Sequence, residues 1–289
     1  MFIALIALAP LAAADHGPGE EQTPINIEHS KAKRDPAPPV ITFNHYDGWN
    51  LKVANTYGAQ EAGLVIAKEW ATLTAAPCSD ATLATCASVR TPLVNGPSVT
   101  VSGDGPPRTY ALQQFHFHAP AEHTVHGKRA AMEIHFVHLY ENGCTPPAGD
   151  TRPGLVIGAL IGEGHPAPAL ERFFHDIGEL PHDRSAVPAK VFVNLRDLLP
   201  HGSYTWRYDG GLTAPAGAGL CGAGVLPSVT NQLITGNFPE VVHWFLYDHP
   251  LHLSHEQIHR FHELFPEGNS RPLKENRNPV YENHHHRGR

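Results

Sequence analysis

The sequence predicts a mainly β (α+β) protein: a single domain built on a large, mostly antiparallel twisted sheet with short peripheral helices. Three observations lead there. The 26 glycines and 27 prolines make up about a fifth of the 289 residues, a density that cuts a chain into short elements joined by turns. The apolar residues fall in short runs bounded by those turns, which is the spacing of strands. Helical spacing is clear in only two stretches. At 41% apolar and 17% charged the chain is neither disordered nor a coiled coil, and its length suffices to bury a core. There is no internal repeat and no linker long enough to divide it.

Taken in order, residues Phe2–Ala14 form an apolar run that ends in three alanines before Asp15. The run is too short to span a bilayer and has the core and small-residue end of a secretory signal, with cleavage expected after Ala14. No Lys or Arg precedes it; the alternative reading is a hydrophobic N-terminal strand. The mature domain is expected over 15–283, secreted or periplasmic/extracellular, with no further membrane span. Pro36–Pro39 reads as a turn and Leu51–Val53 as a strand. Residues 71–98, rich in Ala, Thr, Ser and Pro, look like a surface insertion, and Ser102–Pro107 like another turn. Strands are expected at Tyr110–His118, Met132–Leu139, Leu155–Ile161 and Val241–Tyr247, with a turn at Pro146–Pro153. Helical spacing marks Ala167–Asp176 and Ser254–Leu264, where Ser254 is an N-cap with Gln257 three residues on. Residues 216–239 read as a second insertion in a stretch of Gly, Ala and small polar residues. The chain ends in a His-rich tail, 284–289.

Charge and cysteines narrow the function. Acidic residues outnumber basic ones by 28 to 21, for a formal charge of −7, and no Lys/Arg cluster suggests nucleic acid. The cysteines are Cys78, Cys86, Cys144 and Cys221. An even count in an exported chain suggests two disulfides with three connectivities. Cys78 and Cys86 can close a short loop, which would leave Cys144 for Cys221. The 22 histidines outnumber Lys and Arg together and direct attention to metal.

The stretch Gln113–His138 reads QQFHFHAPAEHTVHGKRAAMEIHFVH. On a strand, side chains alternate, so His116 and His118 share a face with Gln114 while Phe115 and Phe117 take the other. The second run puts Glu133, His135 and Val137 on one face. The connector Ala119–Ala131, with Pro120 and Gly127, is long enough to set the two strands side by side, and three imidazoles then converge. Three neutral imidazoles with a fourth position left to water are a catalytic zinc set. A lone His-x-His pair in so His-rich a chain is more often incidental; the third histidine, two residues after a carboxylate, changes the balance.

These residues resemble the zinc-binding core of the α-class carbonic anhydrases. Gln22–Ile27 (QTPINI), Tyr208–Pro215 (YDGGLTAP) and Gly268–Pro272 (GNSRP) resemble further segments of that family in the family's order, so the resemblance spans about residues 22–277. It implies reversible hydration of carbon dioxide to bicarbonate and a proton through zinc-bound hydroxide. Zn²⁺ would sit on His116, His118 and His135. Gln114, Glu133 and the Asn269 backbone would hold the free ring nitrogens. Thr213 would accept the proton of the hydroxide and Glu122 would accept from Thr213; alone, these two would read as a turn residue and a solvated loop acid. Val137, Val156, Leu212, Val242 and Trp244 resemble the apolar wall that receives carbon dioxide.

The chain departs from the family in places. Gly58, in VANTYGAQ, stands where a shuttle histidine is frequent, and Ala214 where a second threonine is common. The early cysteine that in many exported members bridges to the loop near the active threonine is missing. The competing reading is a weakly active or silent relative kept as a binding or matrix protein. Silent members typically lose a zinc histidine, and all three stand here. Metal buffering by the His-rich surface and by His284–His286 is a third.

Overall fold

The computed structural model describes residues 20–46, 49–55, 64–68, 97–103, 105–140, 150–178, 189–193, 195–199, 201–213, 240–264, 266 and 268–283. Residues 1–14, Gly58, all four cysteines, segment 216–239 and the tail 284–289 lie outside them, so the expectations placed on those residues do too.

In chain order the elements are β1 (Asn26–Ile27), β2 (Lys33–Arg34), β3 (Val40–Asn44), β4 (Trp49–Asn55), β5 (Leu64–Lys68), β6 (Ser98–Ser102), β7 (Arg108–His118), β8 (Thr124–Val125), β9 (Lys128–Arg129), β10 (Met132–Tyr140) and β11 (Gly154–Glu163). Then follow α1 (Pro168–Gly178), β12 (Ala189–Val193), a 3-10 turn (Leu195–Leu198), β13 (Trp206–Gly210), β14 (Val242–Leu253), α2 (His255–Leu264) and β15 (Tyr281–Glu282). Among the described residues twelve strands form one sheet, ordered β12-β4-β5-β7-β10-β11-β14-β13-β15-β2, with β6 against β7 and β3 against β6. The sheet is mostly antiparallel, as expected, but β11–β14 and β15–β2 run parallel. A parallel pair needs a long crossover, and α1, β12 and β13 lie in the one between β11 and β14.

The sheet core is the β7–β10–β11–β14 block, and its pleat separates two interiors. Phe115, Phe117, Ile134, Phe136, Ile157 and Phe245 pack on one face together with Leu170 and Phe174 of α1 and Ile258 and Phe261 of α2. Val137, Val156, Trp206, Tyr208, Val242, Trp244 and Leu246 pack on the other. A bulge breaks the alternation of β7. Gln114 opposes Val137 but Leu112 opposes His138, so Gln113 is an extra residue, and Leu112 and Phe115 can both face the first interior.

Both helices lie close to where helical spacing puts them. At the start of α2 the Ser254 hydroxyl accepts from the Gln257 amide (3.2 Å) and the Gln257 side chain accepts from the Ser254 amide (3.0 Å), a capping box. Gln257 also donates to the Ala167 carbonyl and to Glu171, tying α2 to α1. The proposed insertion 71–98 ends too late. Ser98 is buried and opens β6, paired to Ala111 and Asn44. Among the described residues ten strands went unforeseen, five of them longer than two residues: Val40–Asn44, Leu64–Lys68, Ser98–Ser102, Ala189–Val193 and Trp206–Gly210.

Candidate metal centre

Antiparallel register sets His116 of β7 directly across from His135 of β10, and His118 across from Glu133. The three imidazoles converge: ring centroids lie 4.9 Å (His116–His118), 5.1 Å (His116–His135) and 4.7 Å (His118–His135) apart, with one ring nitrogen from each within 4.8 Å of the others. The connector between the strands folds as β8 and β9 around a tight turn, where Gly127 takes a φ of 73°.

The orientations of His118 and His135 are set by neighbouring oxygens. His118 Nδ1 lies 3.0 Å from the Asn269 carbonyl, so Nδ1 donates and Nε2 keeps its lone pair. That Nε2 is buried, has no hydrogen-bond partner among the described residues, and lies 3.4 Å from Glu122 Oε2. His135 Nε2 lies 2.8 Å from Glu133 Oε1, leaving Nδ1 turned inward, 3.9 Å from Glu122 Oε2. Burial lowers the pKa of all three rings, to about 4 for His118. For His116 the neighbouring His118 and His135 push the same way. All three are therefore neutral at pH 7, the form a metal needs. Neutral donors on three sides and an orphaned buried nitrogen aimed at their common centre fit a tetrahedral divalent ion.

Glu133 anchors the surroundings. Its Oε2 accepts from the amides of Glu122 and His123, both at 2.8 Å, and its Oε1 from His123 Nδ1 and His135 Nε2, at 2.7 and 2.8 Å. Burial alone would raise its pKa; the two histidines and their hydrogen bonds overcome this and hold it well below the usual carboxylate range. His123 continues outward, its Nε2 2.6 Å from the Tyr208 hydroxyl, which donates to Thr23 at 3.2 Å. His123 and Tyr208 were not among the expected site residues, although His123 sits inside the stretch that carries the zinc motif. The Asn269 side chain adds to its backbone contact by accepting from the Ala119 amide and donating to the Phe117 carbonyl.

Glu122 Oε1 accepts from the Arg271 amide at 2.7 Å. Burial lifts its pKa to about 7, against the pull of His135, the Arg271 amide and a hydrogen bond with the Thr213 side chain. Glu122 and Thr213 are thus brought together, both buried. The Arg271 guanidinium binds the Thr23 and Leu212 carbonyls and the Gln22 side chain, so one residue gathers all three outlying segments at the site; it too went unforeseen. On the expected apolar wall, Val137 pairs with Val156 and Val156 with Trp244. Leu212 (9% exposed) and Val137 (4%) keep some access to solvent, whereas Val156, Val242 and Trp244 stand behind them at 1% or less. Trp244 donates to the Gly211 carbonyl and meets the His135 ring edge-on at 4.9 Å. Gln114 holds the register position across from Val137, but its side chain lies outside the described part.

Comparison with known proteins places the sequence in a family and the fold beside a solved one. The sequence matches the family model described as eukaryotic-type carbonic anhydrase over residues 12–219. A protein named carbonic anhydrase from Klebsiella pneumoniae is 31% identical over 175 residues, covering 61% of this chain and 57% of that protein. One of the same name from Pectobacterium atrosepticum is 30% identical over 166 residues, 57% and 55% of the two. The match thus spans somewhat more than half the length of these relatives. In fold, the chain resembles an α-carbonic anhydrase from Thermovibrio ammonificans solved with the inhibitor sulfanilamide (TM-score 0.60, 24% identity, covering 91% of this chain and 88% of that one).

Proposed function

Because the chain belongs to the eukaryotic-type carbonic anhydrase family, we propose that it catalyses the reversible hydration of carbon dioxide to bicarbonate and a proton, with zinc held by His116, His118 and His135. The observation that carries this is the convergence of three neutral imidazoles on one point, with the buried Nε2 of His118 lacking a protein partner. Bound zinc supplies a Lewis acid that makes water a nucleophile near neutral pH.

The chain's own residues do the rest. The Asn269 carbonyl and Glu133 set the tautomers of His118 and His135 and keep one lone pair of each directed inward. In its ionised form Glu122, steered by the Arg271 amide, accepts a hydrogen bond from the Thr213 hydroxyl. The Thr213 oxygen then has only lone pairs to offer, so it accepts from a nucleophile that still carries a hydrogen and orients it. Leu212 and Val137, backed by Val156, Val242 and Trp244, face carbon dioxide with a surface that makes no demand for hydrogen bonds. We also propose, from the apolar run Phe2–Ala14 and the even cysteine count, that the protein acts outside the cytoplasm.

Stopped-flow carbon dioxide hydration on the zinc-loaded protein, beside His118→Ala, tests the reading. It predicts close to one zinc per chain and a rate lost in the variant. Zinc-loaded protein no faster than the buffer, or a variant that keeps its rate, would leave a binding protein on this fold.

A further inference from the structure

The described residues hold a second histidine arrangement, on the opposite side of the sheet and outside the site above. Helix α2 begins His255-Glu256-Gln257-Ile258-His259. Positions i and i+4 of a helix share one face, and two histidines at that spacing are a metal-chelating pair. Here the pair faces solvent: the His255 and His259 side chains are 77% and 60% exposed. Their ring centroids are 6.1 Å apart, about an ångström more than in the buried triad, a gap that rotation of exposed side chains can close. Each ring also has a carboxylate oxygen beside Nδ1: Glu163 at 3.4 Å from His255, reaching over from the end of β11, and Glu263 at 3.5 Å from His259. These are ion-pair distances, longer than a formed hydrogen bond; a carboxylate that closes on Nδ1 would leave Nε2 as the free ligand atom and raise its basicity.

We propose that His255 and His259, supported by Glu163 and Glu263, form a second, surface site for a borderline divalent cation of the Cu²⁺, Ni²⁺ or Zn²⁺ class. The helix end is suited to it. The Ser254–Gln257 capping box and the burial of Ile258 and Phe261 fix the first turns. The positive end of the helix dipole opposes a cation near His255, and Glu163 supplies compensating negative charge. The sequence H-E-x-x-H is also that of a metallopeptidase helix, where the glutamate is the general base. Glu256 is engaged otherwise, accepting from Arg260 at 2.7 Å on the exposed surface.

The probe is Cu²⁺ added to the zinc-loaded full chain, followed by calorimetry and electron paramagnetic resonance, with zinc content checked throughout. The expected result is one Cu²⁺ beyond the zinc, with nitrogen coupling from two imidazoles. The double variant His255→Ala/His259→Ala, which favours the helix, loses this binding while its circular dichroism is unchanged. Glu163→Gln weakens binding roughly tenfold. The same titration in His118→Ala separates this site from the first, because the surface binding should persist there. Deletion of 284–289 and His126→Ala probe the other candidates; His126 lies with its ring 5.0 Å from His29. Copper binding retained in the double variant, or abolished by either control, overturns the proposal.

Discussion

Gly158 offers the sharpest test of how the sheet supports the metal centre. It sits in β11 between His135 of β10 and Leu246 of β14. A Cβ there would lie 2.5 Å from Leu246 Cδ2, 3.2 Å from Glu133 Oε1 and 3.6 Å from His135 Cδ2. Gly158→Ala therefore creates two conflicts with separate readouts. The Leu246 contact is an overpacking strain in a cluster where Leu246 is buried, costing about 2 kcal/mol. At about 2–4 °C per kcal/mol for chains approaching this size, Tm should fall by roughly 4–8 °C. The Glu133 contact displaces the carboxylate that fixes His135, and zinc affinity should drop roughly 10–100-fold. Thermal melting of the zinc-free protein reads the first and chelator competition the second. Adding Leu246→Val should recover part of the Tm but little of the zinc affinity, because the two conflicts involve different atoms. A Gly158→Ala protein that melts and binds zinc like the parent would refute the reasoning.

Other outcomes follow from the same contacts. His243 lies between Asp209 (2.7 Å) and Asp150 (3.1 Å); burial works against its charge, but the two aspartates outweigh this and raise its pKa from 6.5 to about 9. A raised folded-state pKa stabilises fully below pH 6.5 and is lost as pH rises through 9. Urea unfolding should thus show a loss of roughly 3 kcal/mol across that window that is absent in His243→Asn, and equal slopes for the two proteins would contradict it. His123→Ala removes one of the four donors to Glu133 and a partner of Tyr208; it should cost about 1–3 kcal/mol of stability and weaken zinc binding at least tenfold by chelator competition. Thr213→Ala should slow carbon dioxide hydration by roughly 100-fold through lost orientation while zinc content stays near one per chain. The resemblance that sets Gly58 where a shuttle histidine is frequent predicts hydration rates that climb with imidazole concentration; a rate flat at low buffer would argue that another group exports the proton.

What could be read from the sequence has a common physical basis. The ligand set is written in a period of two, and parity needs nothing beyond the strand: Phe115 and Phe117 go one way, His116 and His118 the other, and the partner strand repeats this with Phe136 and His135. Capping is equally local, which is why Ser254 and Gln257 marked the start of α2 correctly. Elements that depend on distant pairing were hidden. β6 (SVTVS) and β13 (WRYDG) are only five residues long, too short for their alternation to stand out beside the turns that flank them until β7 and β14 pair with them. The parallel β11–β14 contact joins segments about eighty residues apart. The bulge at Gln113 cannot be seen in alternation, because it is a break in alternation.

The hidden part of the site obeys the same rule. Glu133 is legible as a carboxylate near His135, but two of its four donors are the amides of Glu122 and His123, which reach it only after the connector has folded back. Arg271 is the clearest case. Its amide steers Glu122, and its guanidinium binds Gln22, the Thr23 carbonyl and the Leu212 carbonyl beside Thr213. In the sequence the segments at 22–27, 208–215 and 268–272 look like three separate marks. In the fold they are the three walls of one arginine site, which fixes the position of Glu122 and braces the loop that carries Thr213. Coordination is therefore set by local alternation, and orientation by closures across 59 to 249 residues. A substitution at Arg271 should accordingly leave three imidazoles able to hold zinc while loosening the Glu122–Thr213 pair beside them.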